Sequence, residues 1–374
     1  MIKRTILCVI MLFSFVYPQI KISGDARIRP RYDINDKTPS NGTKSMDFYY
    51  MYRARIRMSA DLDEGWMFNT MLSHNGISNY SIFDAGDYPD VSGVNQSTAK
   101  PTSNENSRRA TVSFAELYFG KEVEKYGFRI GLFPLGAMNN PVYDLHYYPV
   151  KMVDIPFYVY NADGAYGLSG YIKTDVGKFG AKVLVEDAKG KYEENSSGKV
   201  LYDIKDQYTV ELNYTVDAGG FVIAPMAMIS ISDDSVSAPN TFGLNLTSPK
   251  FSGLTVSATA AYSIQDRTDL RATQEPGYPV SKYNAYLLRL KLAGALGPGN
   301  IVAWFDYGRL TEKLKLTDNK YDFYFTWIGY EIPVYKSPKG SFSITPEIRY
   351  GKFDKNSTSA SKRIKSEVNF DIKF

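Results

Sequence analysis

The chain has 374 residues, of which 14% are aromatic, including 30 Tyr and 21 Phe. Lys and Arg number 44 and Asp and Glu 40, so the formal net charge is +4, too small an excess to indicate a nucleic-acid partner. The single cysteine, Cys8, excludes a disulfide framework and a cysteine metal site.

The amino end is typical of a secretory signal peptide, which we place at residues 1–19. Lys3 and Arg4 supply its positive charge, and Thr5–Tyr17 form an apolar core of 13 residues. That core is too short to cross a bilayer comfortably as a helix, and no later segment is continuously apolar over the ~20 residues that a membrane helix needs. The pattern predicts an exported chain over 20–374, in keeping with the bacterial cell envelope.

The exported chain begins with two predicted strands, Ile20–Tyr32 and about Tyr49–Leu62, in which apolar and charged residues alternate. Since successive side chains of a strand point to opposite faces, each strand has one oily and one charged surface. The charged surfaces carry six arginines: Arg27, Arg29, Arg31, Arg53, Arg55 and Arg57.

The same pattern predicts fourteen further strands, which makes sixteen. The third covers Trp66–Ser73, and the others are centred on Ala115, Ile130, Leu168, Val183, Val210, Ile223, Leu244, Val256, Leu288, Ala303, Phe325, Ile344 and Val368. The faces of the strands near Ala115, Ile223 and Phe325 stay ambiguous, because apolar residues occur on both sides.

Short and long connections alternate along the chain. Those after even-numbered strands are short turns such as Asp63–Gly65, whereas those after odd-numbered strands tend to be longer, as in His74–Ser107 and Pro134–Asp163. This parity favours an all-β fold, a closed antiparallel transmembrane β-barrel of about 16 strands with short periplasmic turns and long outer loops. In hydrocarbon a sheet must close on itself to satisfy its backbone, and sixteen strands leave an aqueous interior.

The chain resembles the bacterial outer-membrane porins of the sixteen-stranded general class. The resemblance rests on the terminal Phe374 of an alternating last strand and on the segment FRIGLFPLG over Phe128–Gly136, which is similar to the porin strand that leads into the third loop. It implies that residues 134–163 are a constriction loop, although the acidic PEFGG-type motif of enterobacterial porins is absent.

The resemblance also implies a function and partners. It implies passive diffusion of ions and small hydrophilic solutes through the outer membrane of a Gram-negative cell, without a cofactor or enzymatic chemistry. The expected partners are outer-membrane lipid and the barrel-assembly machinery, which would recognise the last strand ending at Phe374. A homotrimer is implied by the resemblance alone.

The charged residues lead to two hypotheses that stay open. Antiparallel pairing would cluster the six arginines on one wall of the pore, and in such porins a basic wall opposes acidic residues of the constriction loop. The other pore-lining candidates are Glu116, Asp144, Asp154 and Asp163. The basic wall predicts a mild anion preference. Alternatively, the arginines form a solvated wall, balanced by Asp25, Asp61 and Glu116, with no special selectivity.

Other functions are less well supported by the residues. The two histidines, His74 and His146, lie in or beside predicted loops, and no G-x-S-x-G or H-E-x-x-H motif accompanies them, so a catalytic site is not expected. The loop carboxylates do not match a calcium loop, and we expect no metal site: Asp33, Asp36, Asp84, Asp87 and Asp90. The pair Tyr147–Tyr148 is a candidate lining for a sugar path. The rival functions are a substrate-specific porin for sugars, phosphate or other anions, a barrel enzyme or adhesin, and a soluble secreted β protein.

Overall fold

The computed structural model describes most of the chain from residue 20 onward. The described residues are 20–37, 42–74, 81–83, 112–136, 140–147, 164–187, 191–194, 196–197, 200–204, 207–231, 239–266, 282–313 and 317–374. The predicted signal peptide at 1–19, Tyr148 and the two candidates Asp154 and Asp163 lie outside them.

The described residues form nineteen strands and one short helix. The strands are β1 (Ile20–Asp36), β2 (Lys44–Asp61), β3 (Trp66–His74), β4 (Ser81–Phe83), β5 (Val112–Glu122), β6 (Tyr126–Pro134), β7 (Gly164–Thr174), β8 (Gly177–Asp187), β9 (Lys191–Glu194), β10 (Val200–Ile204), β11 (Gln207–Ala218), β12 (Phe221–Ile231), β13 (Asn240–Thr247), β14 (Leu254–Gln265), β15 (Tyr283–Leu296), β16 (Gly299–Glu312), β17 (Asn319–Ser337), β18 (Gly340–Lys355) and β19 (Thr358–Lys373). The helix α1 covers Pro141–Tyr147, between β6 and β7.

Sixteen of these strands form a closed antiparallel barrel. The short β4 adds to β2, and β9 and β10 form a separate hairpin. Every other strand pairs with its neighbours in the sheet, and β1 pairs both with β2 and with β19, where Arg27 faces Arg53 on one side and Asp371 on the other. The sixteen predicted strand centres all fall in barrel strands, so the predicted fold class is confirmed.

The two ends of the barrel differ in their connections. One end has only short turns, such as 63–65 between β2 and β3, where Asp63 and Glu64 have φ of 80° and 49°. The opposite end carries the longer connections, with one exception. Between β18 and β19 the chain turns over Asn356 and Ser357, with φ of 50° and 66°. Two residues with positive φ match the twist of the flanking strands, so this outer connection is as short as the turns at the other end.

The outward face of the barrel is apolar. Ile56 and Ile348 are 45% and 50% exposed, whereas the inward-pointing Arg53 on the same strand as Ile56 and Arg349 next to Ile348 are 7% and 2% exposed. Near the strand ends the outward residues include aromatic side chains, with Trp66 packed edge-on against Phe128. A polar interior and an apolar exterior with aromatic ends are the arrangement of a transmembrane barrel. In the part of the chain that the structure describes, no helix has the length and apolar character needed to cross a membrane.

The ambiguous strands have a physical explanation. The pairing of β3 with β5 shifts register between Met71 and Leu72, so that Ala115 is the extra residue of a bulge and Phe114 and Leu117 both point outward. In β12 and β17 the inward residues are themselves apolar, including the buried Met228 and Phe323. Alternation is lost there because part of the interior is a hydrophobic cluster.

Candidate functional site

Helix α1 lies inside the barrel, against the inner faces of β13, β14 and β15. Its start is fixed locally, because Pro141 occupies the first helical turn and the side-chain Oδ1 of Asn140 accepts a hydrogen bond from Val142 N at 3.1 Å. Six of its seven residues are buried. The apolar ones, Val142 and Leu145, belong to the interior hydrophobic cluster with residues of the barrel wall.

Tyr143 connects α1 to the wall through a charged pair. Lys182 of β8 donates hydrogen bonds to Glu211 Oε2 of β11 at 2.8 Å, to Tyr143 Oη at 2.8 Å and to the backbone oxygen of Leu135 at 3.1 Å. Tyr143 Oη also donates to Glu211. Hydrogen bonds to ionised groups are the stronger class, so this network holds both ends of the segment 135–143 to the inner wall.

Asp144 faces the barrel wall. Arg289 of β15 donates to Asp306 through Nε at 2.6 Å and Nη2 at 2.7 Å, and its Nη2 also donates to Asp144 Oδ2 at 3.1 Å. Burial raises the pKa of the Asp144 carboxyl to about 7, and the negative charge of Asp306 adds to the effect, whereas Arg289 opposes it. A single guanidinium therefore serves two buried carboxylates.

The end of α1 bonds to a second group of wall residues. His146 is 1% exposed, and its Nδ1 lies 3.1 Å from Thr241 Oγ1. Tyr147 donates to Glu186 Oε1 at 2.8 Å, and its burial raises the pKa of its hydroxyl well above the ordinary value. The ring nitrogens of His146 lie next to the hydroxyls of Thr241 and Thr209, whereas Asp144 accepts a hydrogen bond from Arg289. Asp144 and His146, two residues apart in the chain, therefore have different partners.

The six predicted arginines lie together on the inner faces of β1 and β2. Asp25 of β1 accepts hydrogen bonds from three of them, from Arg55 Nε at 2.9 Å, Arg57 Nη1 at 3.0 Å and Arg53 Nη2 at 3.4 Å. The side chain of Arg57 is 40% exposed, whereas that of Arg53 is 7% exposed. Asp25 is one of the carboxylates expected to balance these arginines.

The other three arginines pair with the last strand. Arg31 donates to Glu367 Oε2 at 2.7 Å, and Arg27 bonds to Asp371. Arg29 bonds to Asn369, with Glu367 at 3.7 Å. Sequence reasoning missed these acidic partners, because the register between β1 and β19 exists only once the barrel has closed.

Glu116 lies on β5, half-buried and on the same face as the inward Tyr118. The register places it beside Met71 of β3, which in turn faces Arg57 of β2. Asp33 and Asp36, which we expected in a loop, lie instead within β1. Asp33 accepts hydrogen bonds from Arg363 at 2.6 and 2.9 Å, an ion pair that extends the charged wall toward the long-connection end.

Two tryptophans lie on the inner wall of the barrel, Trp304 on β16 and Trp327 on β17. Their rings pack edge to face, with the ring centroids 3.9 Å apart. Arg289 and Lys291 lie 5.1 and 5.8 Å from the Trp304 ring, and Arg349 lies 4.8 Å from the Trp327 ring. Sequence reasoning did not single out Arg289 or Arg349. Each is a charged residue between two outward-facing apolar residues, such as Leu288 and Leu290, and this alternation in the sequence predicts that the arginine faces inward.

The six arginines of β1 and β2, together with the charged residues of β18 and β19 beside them, form an arginine wall on the side of the lumen opposite α1. Helix α1 contacts strands from β8 to β15, roughly half-way round the sixteen-stranded order from that wall. Of the candidate acidic residues on the loop, Asp144 bonds to Arg289 on its own side, and Asp154 and Asp163 lie outside the described residues. The role of the ten candidates as pore-lining residues stays a prediction.

Comparison with known proteins supports the fold. The sequence matches no protein-family model and no curated protein. Among solved structures it is similar to an anion-selective porin from Comamonas acidovorans, at 11% identity over 96% of this chain and 100% of that one, with a TM-score of 0.57. The trimer form of OmpT, an outer-membrane protein of Vibrio cholerae, gives 8% identity over 94% and 99%, with a TM-score of 0.53.

A third solved structure has the same architecture. OmpF of Salmonella typhi, in complex with daunomycin, is 10% identical over 95% of this chain and 98% of that one, with a TM-score of 0.53. At such low identities the likeness shows the fold alone. The resemblance to sixteen-stranded porins is therefore confirmed for the fold.

Proposed function

We propose that the protein is an outer-membrane porin, a water-filled channel for passive diffusion of ions and small hydrophilic solutes. The observation that carries this proposal is the charged inner wall of a closed sixteen-stranded barrel with an apolar outer face. Long charged side chains such as Arg55 and Arg57 would be costly to enclose in a dry core, and sixteen strands enclose more space than their side chains fill.

The pore is narrowed from one side. Helix α1 projects from the wall into the lumen opposite the arginines, and its buried contacts hold it there. We assign the segment 134–163, of which 140–147 carries α1, as the constriction loop. The channel would need no cofactor, because lumen width and wall charge decide which solutes pass.

Wall charge favours anions in this proposal. The arginines of β1 and β2 share the carboxylates Asp25, Glu367 and Asp371, so positive charge is in excess on that wall. The Comamonas neighbour is named as an anion-selective porin, which is in keeping with this preference. A solvated wall without selectivity is the alternative, and reversal potentials separate the two.

The proposal includes a place and partners for the barrel. The short-turn end faces the periplasm, the longer connections face outward, and the apolar belt contacts outer-membrane lipid. The last strand ending at Phe374 is the signal to the barrel-assembly machinery. A homotrimer is in keeping with the trimer form described for the Vibrio neighbour.

Single-channel recording of the refolded chain 20–374 in planar bilayers tests the function. We expect steady conductance that falls gradually with the size of added neutral solutes. Saturable block by one solute would favour a substrate-specific porin, and negligible conductance from folded protein would favour a barrel enzyme or adhesin. Folding without detergent, with no heat-modifiable gel mobility, would favour a soluble β protein.

A further inference from the structure

A cavity of about 370 Å³ lies between α1 and the inner wall of the barrel. Tyr143 lines it on the helix side, and Lys182, Asn245 and Lys291 are among its wall residues. Small-molecule sites typically have volumes of about 300–1,000 Å³, so the cavity has the size of a site for a small solute.

Most charges around this cavity are already neutralised. Glu211 accepts from Lys182 and from Asn213 Nδ2 at 2.7 Å, so that acid and base cancel. Arg289 is matched by the bidentate Asp306, and Asp144 is 1% exposed and bonded to the same guanidinium. The pairs Lys182–Glu211 and Arg289–Asp306 carry no net charge, and Asp144 is not among the residues that line the cavity.

Lys291 is different. Within the part of the chain that the structure describes, its ammonium forms no ion pair, and it lies 5.8 Å from the centroid of the Trp304 ring. It lies on the same face of β15 as Arg289, two residues away. The half-buried ammonium is thus an uncompensated positive charge at the edge of the cavity, where an anion would be favourable.

Neutral hydrogen-bonding residues line the same cavity, among them Asn245, Ser257 and Thr259. Thr259 donates to Asn245 Oδ1 at 2.8 Å, Asn245 Nδ2 donates to Thr247 at 3.2 Å, and the hydroxyls of Thr247 and Ser257 lie 3.0 Å apart. Ser257 is the register partner of Lys291. Hydroxyl and amide groups both donate and accept, which suits a polyhydroxylated ligand.

We infer that this cavity is a binding subsite for a hydroxylated organic anion of monosaccharide size, a sugar acid or a sugar phosphate. Lys291 contacts the carboxylate or phosphate, the lining residues Thr259, Asn245 and Ser257 contact hydroxyl groups, and the Trp304 ring lies 5.8 Å from Lys291. The inference rests on the proposed channel function, because a solute reaches the cavity through the lumen. It goes beyond that function by naming a solute class and its site.

Tryptophan fluorescence tests the site without requiring conduction. The chain has three tryptophans, and Trp66 is on the outer face, so a Trp66→Phe background leaves emission from Trp304 and Trp327. We expect gluconate and glucose 6-phosphate to change this emission saturably and glucose to bind at least about tenfold more weakly. The same concentrations of gluconate should block single-channel current.

Substitution of Lys291 decides whether the charge acts as inferred. Lys291→Gln should weaken binding of both anions about tenfold, the loss expected for one hydrogen bond between charged groups, whereas Lys291→Arg should retain it. Lys339→Gln, which removes the same charge from an exposed turn, is the matched control and should bind as the parent does. Heat-modifiable gel mobility shows that each variant is folded.

Three results would overturn the inference. They are equal binding of glucose, competition by inorganic phosphate as strong as that of glucose 6-phosphate, and unchanged binding in a folded Lys291→Gln variant. The outcome is separable from the channel function. A conducting barrel that does not bind gluconate overturns the subsite alone, whereas a barrel that binds gluconate but carries no current overturns the channel.

Discussion

Val142 of α1 occupies the space next to Gly243 of β13 in which any larger side chain would have to lie. A Cβ atom added to Gly243 would overlap Val142 Cγ2, and it would lie 3.4 Å from the backbone oxygen of Ala260. Valine has one strongly preferred rotamer in a helix and gives way poorly. The position of the helix inside the lumen therefore depends on this glycine.

Gly243→Ala should displace α1 from the wall. We expect a loss of about 1–3 kcal/mol in the stability of the docked helix, as is typical of overpacking, and a change in single-channel conductance. Val142→Ala in the same chain removes the overlapping methyl groups and should restore the parental conductance. Equal conductance of the single and double variants would contradict the contact.

Asp144 should make docking of α1 pH-dependent. Its folded pKa of about 7 lies above the ordinary 3.8, so the folded state binds the proton more tightly. Protonated Asp144 stabilises the docked helix fully below pH 3.8, and this stabilisation is lost as the pH rises to about 7. The free energy of docking changes by up to about 4 kcal/mol over this interval. Hydrogen exchange of the α1 amides, corrected for intrinsic rates, should therefore accelerate between about pH 4 and 7.

Asp144→Asn is the control for this pH dependence. The amide keeps an oxygen that can accept from Arg289 but carries no charge, so exchange in the variant should be flat over the same interval. A parent chain whose α1 amides show no greater pH dependence than the variant would refute the assigned cause.

Asp25→Asn should strengthen anion preference. It removes the carboxylate shared by Arg53, Arg55 and Arg57 and leaves the positive charge of that wall less compensated. The reversal potential in asymmetric KCl should shift toward that of chloride, with a stability loss of about 1–3 kcal/mol. Glu64→Gln, the same charge change in an exposed turn, should leave the potential where it was. A shift toward potassium in the Asp25 variant would count against the basic wall.

Phe374 closes the seam of the barrel. Its backbone exchanges two hydrogen bonds with Gly24, at 2.8 and 3.0 Å, and its ring lies against Gly24, where a Cβ would be 2.5 Å from Phe374 Cζ. Phe374→Ala should lower the refolded fraction, with a stability loss of about 1–2 kcal/mol, measured by heat-modifiable gel mobility. Phe251→Ala changes an 81% exposed phenylalanine at the same end and is the control. Identical refolding of the two variants would argue against a role for the seam.

The barrel could be predicted from the sequence because its strands must obey one local rule. Each strand faces lipid on one side and water on the other, so apolar and charged residues alternate along it. Ile56 and Arg55 show this alternation, and Ile348 and Arg349 repeat it on a strand far away in the sequence. The rule fails where the interior is dry. Met228 and Phe323 point inward but are apolar, since they belong to the hydrophobic cluster that includes Val142 and Leu145 of α1.

The candidate site could be predicted only in part. The arginine cluster followed from the antiparallel pairing of β1 and β2, which are consecutive in the chain. The pairing of Arg27 with Asp371 depends on barrel closure, and the pairing of Asp144 with Arg289 depends on how a loop folds back into the lumen. Neither relationship leaves a local pattern in the sequence.

Thiol modification of two adjacent residues distinguishes a water-filled lumen from the lipid-facing surface. The chain 20–374 contains no cysteine, so Arg55→Cys and Ile56→Cys each create a unique thiol. If a water-filled lumen carries the current, a negatively charged thiosulfonate reagent should change the conductance of the Arg55→Cys channel and leave that of Ile56→Cys unaltered. Modification that alters only the Ile56→Cys channel, or both channels alike, would contradict the account.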